Sequence, residues 1–231
     1  MNRSLRLAVL TLAPVALFAA APATGVTGTA HDLSATGPNT VTASNQVCVF
    51  CHAPHGGALV ANQVIPLWNR TTTASVFTMY NKSNDPLSNI KGTVDATPSG
   101  VSMACLSCHD GTIAVGTVLM APNTGGNTTY TTAKGGVSPS TGKIASGANI
   151  LGTDLSNDHP ISITYQDDLN SFLNTATSLS GVKLFPSNAT GSKVQCSSCH
   201  DVHNWGVSGT TAPFLRVTMA GSALCKTCHR N

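Results

Sequence analysis

The chain is 231 residues long, carries a formal net charge of +3 and has only 9% charged residues, every acidic one of them an aspartate. Without a basic run it offers no footprint for a phosphate backbone, which excludes a nucleic-acid partner. So little charge, with a mean hydropathy of +0.10 in a chain that reads as exported, implies that part of the surface lies against a partner.

A leader comes first. Arg3 and Arg6 precede an apolar run from Leu7 to Phe18 and the small-residue stretch Ala19 to Ala23, the pattern of a secretory signal peptide over residues 1–23, with cleavage after Ala23 or as late as Ala30. No later apolar run approaches the roughly 18–20 residues of a spanning helix, so no membrane span is expected. The location is secreted, extracellular or at the cell surface, with the periplasm as the alternative. A first unit, residues 31–120, holds His31, Cys48-Val-Phe-Cys51-His52, His55 and Cys105-Leu-Ser-Cys108-His109, with a helical turn expected around Ser102–Cys108. Residues 121–152 are dominated by Gly, Thr, Ser and Asn and read as an exposed loop. A second unit, residues 153–231, holds His159, Cys196-Ser-Ser-Cys199-His200, His203 and Cys225-Lys-Thr-Cys228-His229, with helical turns expected around Asp167–Leu173 and Ser222–His229.

All eight cysteines fall inside four copies of Cys-x-x-Cys-His. Two thiols three positions apart, followed at once by histidine, form the attachment site of a c-type haem. Cys48 and Cys51, Cys105 and Cys108, Cys196 and Cys199, and Cys225 and Cys228 are the expected thioether pairs; His52, His109, His200 and His229 are the expected proximal iron ligands. Zinc knuckles would space their pairs roughly 15–20 residues apart, closer than these motifs lie, and would not need a histidine after every second cysteine. Disulfides would not place every pair at one short spacing. The expected cofactor is therefore four haem c.

The other four histidines, His31, His55, His159 and His203, equal in number the irons still lacking a distal ligand, whereas Met79, Met103, Met120 and Met219 keep no repeated offset from the motifs. All four haems are read as bis-histidine, a ligation of lower potential than His/Met. Eight histidines on four irons leave no open position for a small oxyanion or oxygen, which points to electron transfer and away from an enzyme. A haem roughly every 50 residues replaces much of a side-chain core in a domain of ordinary length. The expected fold is a coil-rich multihaem cytochrome c with short helices and few strands, punctuated by 21 glycines and 12 prolines.

His55 and His203 each follow a proximal histidine by three positions. Two axial ligands approach one iron from opposite porphyrin faces, and so short a spacer cannot carry the chain round the macrocycle. Each must serve another haem. The order of motifs is duplicated, so the other haem of the same unit is the expected partner: His55 for the haem on Cys105 and Cys108, His203 for that on Cys225 and Cys228, leaving His159 for that on Cys196 and Cys199. Pro66-Leu-Trp-Asn-Arg70 and Pro213-Phe-Leu-Arg216 occupy matching places. This puts Arg70 and Arg216 in correspondence, facing either haem propionates or solvent, with Trp68 and Phe214 beside them as haem-packing or core aromatics. Sequons at Asn69, Asn81, Asn127 and Asn188 read as chance in an Asn/Thr-rich chain.

Cys48-Val-Phe-Cys51-His52-Ala-Pro-His55, Pro66-Leu-Trp-Asn-Arg70, Cys105-Leu-Ser-Cys108-His109-Asp-Gly111, His159-Pro-Ile-Ser162 and Cys196-Ser-Ser-Cys199-His200-Asp-Val-His203 resemble multihaem cytochromes with paired Cys-x-x-Cys-His motifs. The tetrahaem count, His31-Asp-Leu-Ser34 and the ligand order are similar to OmcE-type extracellular cytochromes, which polymerise into conducting filaments (nanowires). The resemblance implies a core of four stacked haems in a continuous chain and a head-to-tail homopolymer. It further implies redox exchange with partner cytochromes and extracellular electron acceptors. A soluble periplasmic shuttle is the alternative. His31, on an arm just after the leader, reaches either its own chain's first haem, that on Cys48 and Cys51, or, as the resemblance favours, one in the next subunit, which would propagate an open filament.

Overall fold

The computed structural model describes residues 25–38, 44–60, 63–80, 90–121, 128–130, 136–144, 147, 149–167, 172–186, 192–203 and 214–230. The leader and the sequons at Asn81, Asn127 and Asn188 lie outside these residues.

Among the described residues α-helix is confined to the Cys-x-x-Cys-His motifs and their approaches, with one separate 3₁₀ turn at Ala176–Ser178. The longest, α1 (Gly100–His109), begins after Pro98 and carries Cys105, Cys108 and His109 on its last turns. It stops at Asp110-Gly111. Gly111 takes a left-handed φ of 73°, the conformation that ends helices at least cost, and the Asp110 carboxylate accepts bonds from the Thr112 N–H (2.8 Å) and hydroxyl (2.7 Å). The second helix, α2 (Cys196–Cys199), is a single turn, and the third, α3 (Ala223–Cys228), is little longer. The first motif forms a 3₁₀ turn, Cys48–Phe50. The helices expected around Ser102–Cys108 and Ser222–His229 are present, but Leu173 is not helical: it bridges His229 in antiparallel fashion. Residues 168–171 of that expected turn lie outside the described part.

Strands are more numerous than expected, though none exceeds six residues. The strand β1 (Ala58–Val60) pairs antiparallel with β2 (Gln63–Trp68), and β3 (Thr78–Met79) pairs parallel with β6 (Asp154–Leu155). The strand β4 (Thr117–Val118) pairs with β5 (Thr128–Thr129). The strand β9 (Ser192–Val194) lies between β7 (Ile163–Thr164) and β8 (Phe185–Pro186). The β3–β6 pair and an ion pair between Lys193 and Asp95 tie the two halves of the chain together.

Residues 121–152 were expected to be an exposed loop; apart from Ala121 the described part of them is exposed or half-buried and mostly irregular, but its backbone is tied to the rest of the fold. Thr128–Thr129 adds a strand to Thr117–Val118, the Val115 N–H donates to the Gly142 carbonyl (2.8 Å), and the Leu151 N–H donates to the His109 carbonyl (2.8 Å). Poverty in apolar residues limits side-chain burial, but it does not stop a backbone from pairing.

Apolar packing concentrates around the first two motifs. One cluster joins Ile65, Trp68, Phe77, Met79, Met103, Ala104, Leu106 and Leu155, with Cys51 against it; another joins Val49, Phe50, Val118 and Ala121. Val49 and Phe50 stand between Cys48 and Cys51, so the first motif is anchored through its own variable residues. No described helix is long and apolar enough to cross a membrane.

Candidate metal centre

A helical turn places the two cysteines of each motif one above the other on one side, because residues three apart share a face. The histidine then follows with its backbone tied to the first cysteine. The N–H of His52 donates to Cys48 (2.8 Å), that of His200 to Cys196 (3.1 Å) and that of His229 to Cys225 (2.8 Å). In α1 the same relation is part of the helix.

Three of the four motifs are also gripped from outside by a short extended segment. His52 bridges Trp68, His200 bridges Leu215 and His229 bridges Leu173. The bonds repeat in register. The Ala53 N–H donates to Leu67 and the Asn69 N–H to Cys51; the Asp201 N–H donates to Phe214 and the Arg216 N–H to Cys199; the Arg230 N–H donates to Phe172 and the Asn174 N–H to Cys228. Leu67 and Phe214 share a left-handed φ of 58° and 66°, uncommon for residues with a side chain. Behind the first bridge, Gly57 approaches so closely that a Cβ there would sit 2.6 Å from the Leu67 carbonyl carbon.

This register corrects the expected correspondence of arginines. Arg216 matches Asn69 and not Arg70; Phe214 matches Leu67, and Trp68 matches Leu215. The two arginines differ in environment as well. Arg216 pairs with Asp201 at 2.8 Å. Arg70 is only 1% exposed, and its guanidinium donates to the carbonyls of Val115 (2.6 Å) and Ala114 (2.7 Å). The sequon residue Asn69 is wholly buried, with its amide nitrogen on the carbonyls of Val49 and Met120, in keeping with the reading of that sequon as chance.

The histidines are brought together in pairs, each joining a motif histidine to one outside the motifs. Ring centres lie 6.1 Å apart for His52 and His203, 6.0 Å for His31 and His109, and 6.3 Å for His159 and His229. A metal–imidazole bond is about 2 Å long and the ring centre lies about 1 Å behind the nitrogen, so imidazoles on opposite sides of one metal have centres about 6 Å apart. These pairings replace those expected from the duplicated order. His203 faces the first motif and not the fourth, and His159 faces the fourth and not the third. His31 faces the second motif of its own chain, where His55 was expected. His55 and His200 are both exposed. Sequence order favoured the neighbouring motif within a unit. Tertiary packing instead crosses the two halves, with the Gly25 N–H fixed to the His203 carbonyl at 2.7 Å.

Second partners suit metal ligation. Nδ1 of His109 bonds the Asn149 carbonyl at 2.6 Å and Nδ1 of His159 the Pro160 carbonyl at 3.0 Å, an arrangement that leaves Nε2 with its lone pair for a metal. Burial, with His109 and His200 nearby, lowers the pKa of His31 to about 4 and so keeps it neutral. Its Nδ1 is buried without a protein partner, as are Nε1 of Trp68, beside the His52 ring, and Nε of Arg70. Burial also pushes the Cys51 thiol up to about 12 and Cys199 to about 11. Cys105 is raised chiefly by its hydrogen bond with Cys196, whose pKa the same bond lowers, so cysteines of the second and third motifs adjoin.

Around the fourth motif the protein leaves a cavity of about 480 Å³, lined by Ile163, Leu184, Val194 and Leu224 together with Cys225, Cys228, His159 and His229. That is within the range of cofactor sites, about 300–1,000 Å³. An apolar cradle, paired thiols and opposed imidazoles fit a haem. The donor set does not resemble a structural zinc site, and among the described residues no group of three or more histidine, cysteine or acidic side chains converges on one point.

Residues 189–231 match the family model described as the doubled CXXCH motif (Paired_CXXCH_1), which spans the third and fourth motifs. No curated protein matches the chain. The matched motifs indicate covalently bound c-type haem and support a multihaem c-type cytochrome that transfers electrons.

Proposed function

We propose that the chain carries electrons through four covalently bound bis-histidine haems and performs no catalysis. The observation that carries this reading is the pairing of histidines at 6.0, 6.1 and 6.3 Å, each pair joining one motif histidine to one outside the motifs. The haem on Cys48 and Cys51 then has His52 and His203; that on Cys105 and Cys108 has His109 and His31; that on Cys225 and Cys228 has His229 and His159. His55 falls to the haem on Cys196 and Cys199, opposite His200. The first and third motifs would thereby exchange their trailing histidines reciprocally, each holding the other's iron.

The haem supplies the redox chemistry. The chain's own thiols would hold it covalently and its paired histidines would bind the iron, so that little would reorganise when an electron arrives. Pyridine haemochrome analysis should return four haems per chain, and the ferric spectrum should be low-spin throughout. A persistent high-spin signal with turnover of a small oxyanion would sink the non-catalytic reading. Replacing His203 with alanine should produce one high-spin haem. In a chain that also lacks the first attachment site (Cys48→Ser, Cys51→Ser), the same replacement should produce none.

The assembly we propose is an extracellular, head-to-tail filament delivering electrons to external acceptors. It is supported by the 9% charged fraction and by large apolar side chains left in solvent, Val76 at 91% and Phe172 at 62% exposure among them. The placement of His31 against His109 favours the second reading, a self-contained periplasmic shuttle, because no ligand then has to come from a neighbour. Electron microscopy of the exported protein separates the two.

A further inference from the structure

The register that grips three of the motifs carries one more repeated feature, in its side chains. The third residue of each gripping segment is Asn69, Arg216 or Asn174. In all three places its side-chain N–H donates to the carbonyl of the residue directly after the first cysteine. Asn69 Nδ2 reaches Val49 at 2.7 Å, Arg216 Nε reaches Ser197 at 2.9 Å and Asn174 Nδ2 reaches Lys226 at 2.9 Å. The backbone N–H of the same residue holds the second cysteine's carbonyl, at 2.9, 2.8 and 2.8 Å respectively. One residue thus holds the motif's turn at two points, through main chain and side chain together.

The three segments do not share a sequence position relative to their motifs. Those of Asn69 and Arg216 follow the motif they grip, whereas that of Asn174 precedes its motif by more than fifty residues. Nor do they share a residue type. A fold that reaches one arrangement from both directions along the chain, with two different side chains, is meeting a local requirement of the motif. Helical elements of three, four and six residues leave carbonyls without partners inside the helix. Those carbonyls lie beside the two cysteines and the histidine that must meet a rigid porphyrin at three points.

We propose that Asn69, Arg216 and Asn174 are positioning residues for the haem ligands. By donating to the carbonyl after the first cysteine and the carbonyl of the second, each fixes the turn and thereby the plane of the proximal imidazole, His52, His200 and His229 in order. The inference rests on the tetrahaem reading above. The second motif needs no such residue, because it forms the last turn of α1 and the backbone that follows takes the same two carbonyls, the Asp110 N–H donating to Leu106 and the Gly111 N–H to Cys108, each at 3.1 Å, while His109 is tied through Nδ1 to the Asn149 carbonyl. At the third motif the positioning residue is also charged and joined to Asp201, so the segment holding His203 is coupled to it.

The test uses the full holoprotein. Haem content of the unaltered chain examines the tetrahaem reading by itself; fewer than four haems would overturn that reading and not this one. In Asn174→Leu and Arg216→Leu, four haems should remain attached, and the electron paramagnetic resonance difference spectrum against wild type should show the low-spin signal of one haem moved and the other three unchanged. Selective loss of the haem at the variant's own motif, located by mass spectrometry of haem peptides, would support the same role in attachment. Arg216→Asn supplies the control that the structure itself suggests, since asparagine does this work in the other two places. It should restore the wild-type signal even though the ion pair with Asp201 is lost. Leucine variants with four unmoved signals would overturn the proposal, as would an Arg216→Asn spectrum as altered as that of Arg216→Leu.

Discussion

The rings of His52 and His203 have their centres 6.1 Å apart and their planes only 23° apart, although the two residues come from opposite halves of the chain. The other two close pairs are turned much further, by 58° for His31 and His109 and 73° for His159 and His229. Axial imidazole planes set how far the two iron d orbitals that overlap with them are split. Near-parallel planes separate these orbitals, and crossed planes leave them almost degenerate. The frozen ferric protein should therefore show a rhombic low-spin signal from the haem on Cys48 and Cys51, and strongly anisotropic low-spin signals from those on Cys105/Cys108 and Cys225/Cys228. Four identical rhombic signals would contradict the observed ring orientations.

The contact between the second and third motifs depends on one hydroxyl. Ser102, fully buried on α1, donates to Oε1 of Gln195 at 2.5 Å and accepts from the Cys196 N–H at 2.9 Å. Gln195 also caps α2 reciprocally with Ser198. Ser102→Ala leaves the Cys196 N–H short of a partner, a cost of about 1–3 kcal/mol, while the Gln195 amide oxygen keeps the Ser162 hydroxyl at 3.1 Å. Denaturant unfolding followed by circular dichroism should record a loss of that order in the holoprotein. A substitution at the exposed Val76, to threonine, should stay within about 0.5 kcal/mol.

Much of the site was legible because covalent haem attachment writes itself into adjacent residues. Cys48 to His52 and its three counterparts form one turn each, so spacing alone points to the candidate thiols and proximal histidines, and the third and fourth motifs are the ones the family model matches. Distal ligation is a tertiary matter. His203 reaches His52 only because the chain crosses between halves, and no local rule distinguishes that path from one to His229. The same holds for Asn174, whose role lies in a bridge to Cys228 that sequence order hides; the pattern Asn69-to-Val49 and Arg216-to-Ser197 would have revealed it only once the register was seen. Residues 121–152 are exposed or half-buried outside Ala121, as their composition suggests, but their backbone contacts were not legible. Their composition speaks about side-chain burial, while what they contribute is carbonyls, Asn149 to His109 above all.

Arg70 is the buried cation nearest the first motif, next to the residue whose N–H holds Cys51, and no described carboxylate pairs with it. A charge kept out of water costs several kcal/mol unless something offsets it, and here two carbonyls do so only in part. Such a cation disfavours the oxidised, more positive state of a neighbouring iron. Arg70→Met should lower the potential of one haem by tens of millivolts in spectroelectrochemical titration, while Arg70→Lys should retain most of the wild-type value. The methionine variant should also lose stability, about 1–3 kcal/mol for each of the Ala114 and Val115 carbonyls it leaves unbonded.

His31 offers the clearest way to decide how the chain assembles. Its ring is held between His109 at 6.0 Å and Phe214 at 4.6 Å, and Asp32 secures its backbone by accepting from the N–H groups of Gly28 (2.7 Å) and Ser34 (3.1 Å). A ligand delivered by its own chain needs no neighbour, so dilution should not disturb it. His31→Ala should convert the haem on Cys105 and Cys108 to a high-spin or water-ligated form in monomer and assembly alike, and added imidazole should return it to low spin. If His31 instead served the next subunit, the wild-type chain diluted to monomer would show the same high-spin signal without any substitution. A wild-type monomer that stays low-spin at every concentration, beside a His31→Ala monomer that does not, would establish ligation within the chain; an unchanged spectrum in His31→Ala would remove His31 from the ligand set altogether.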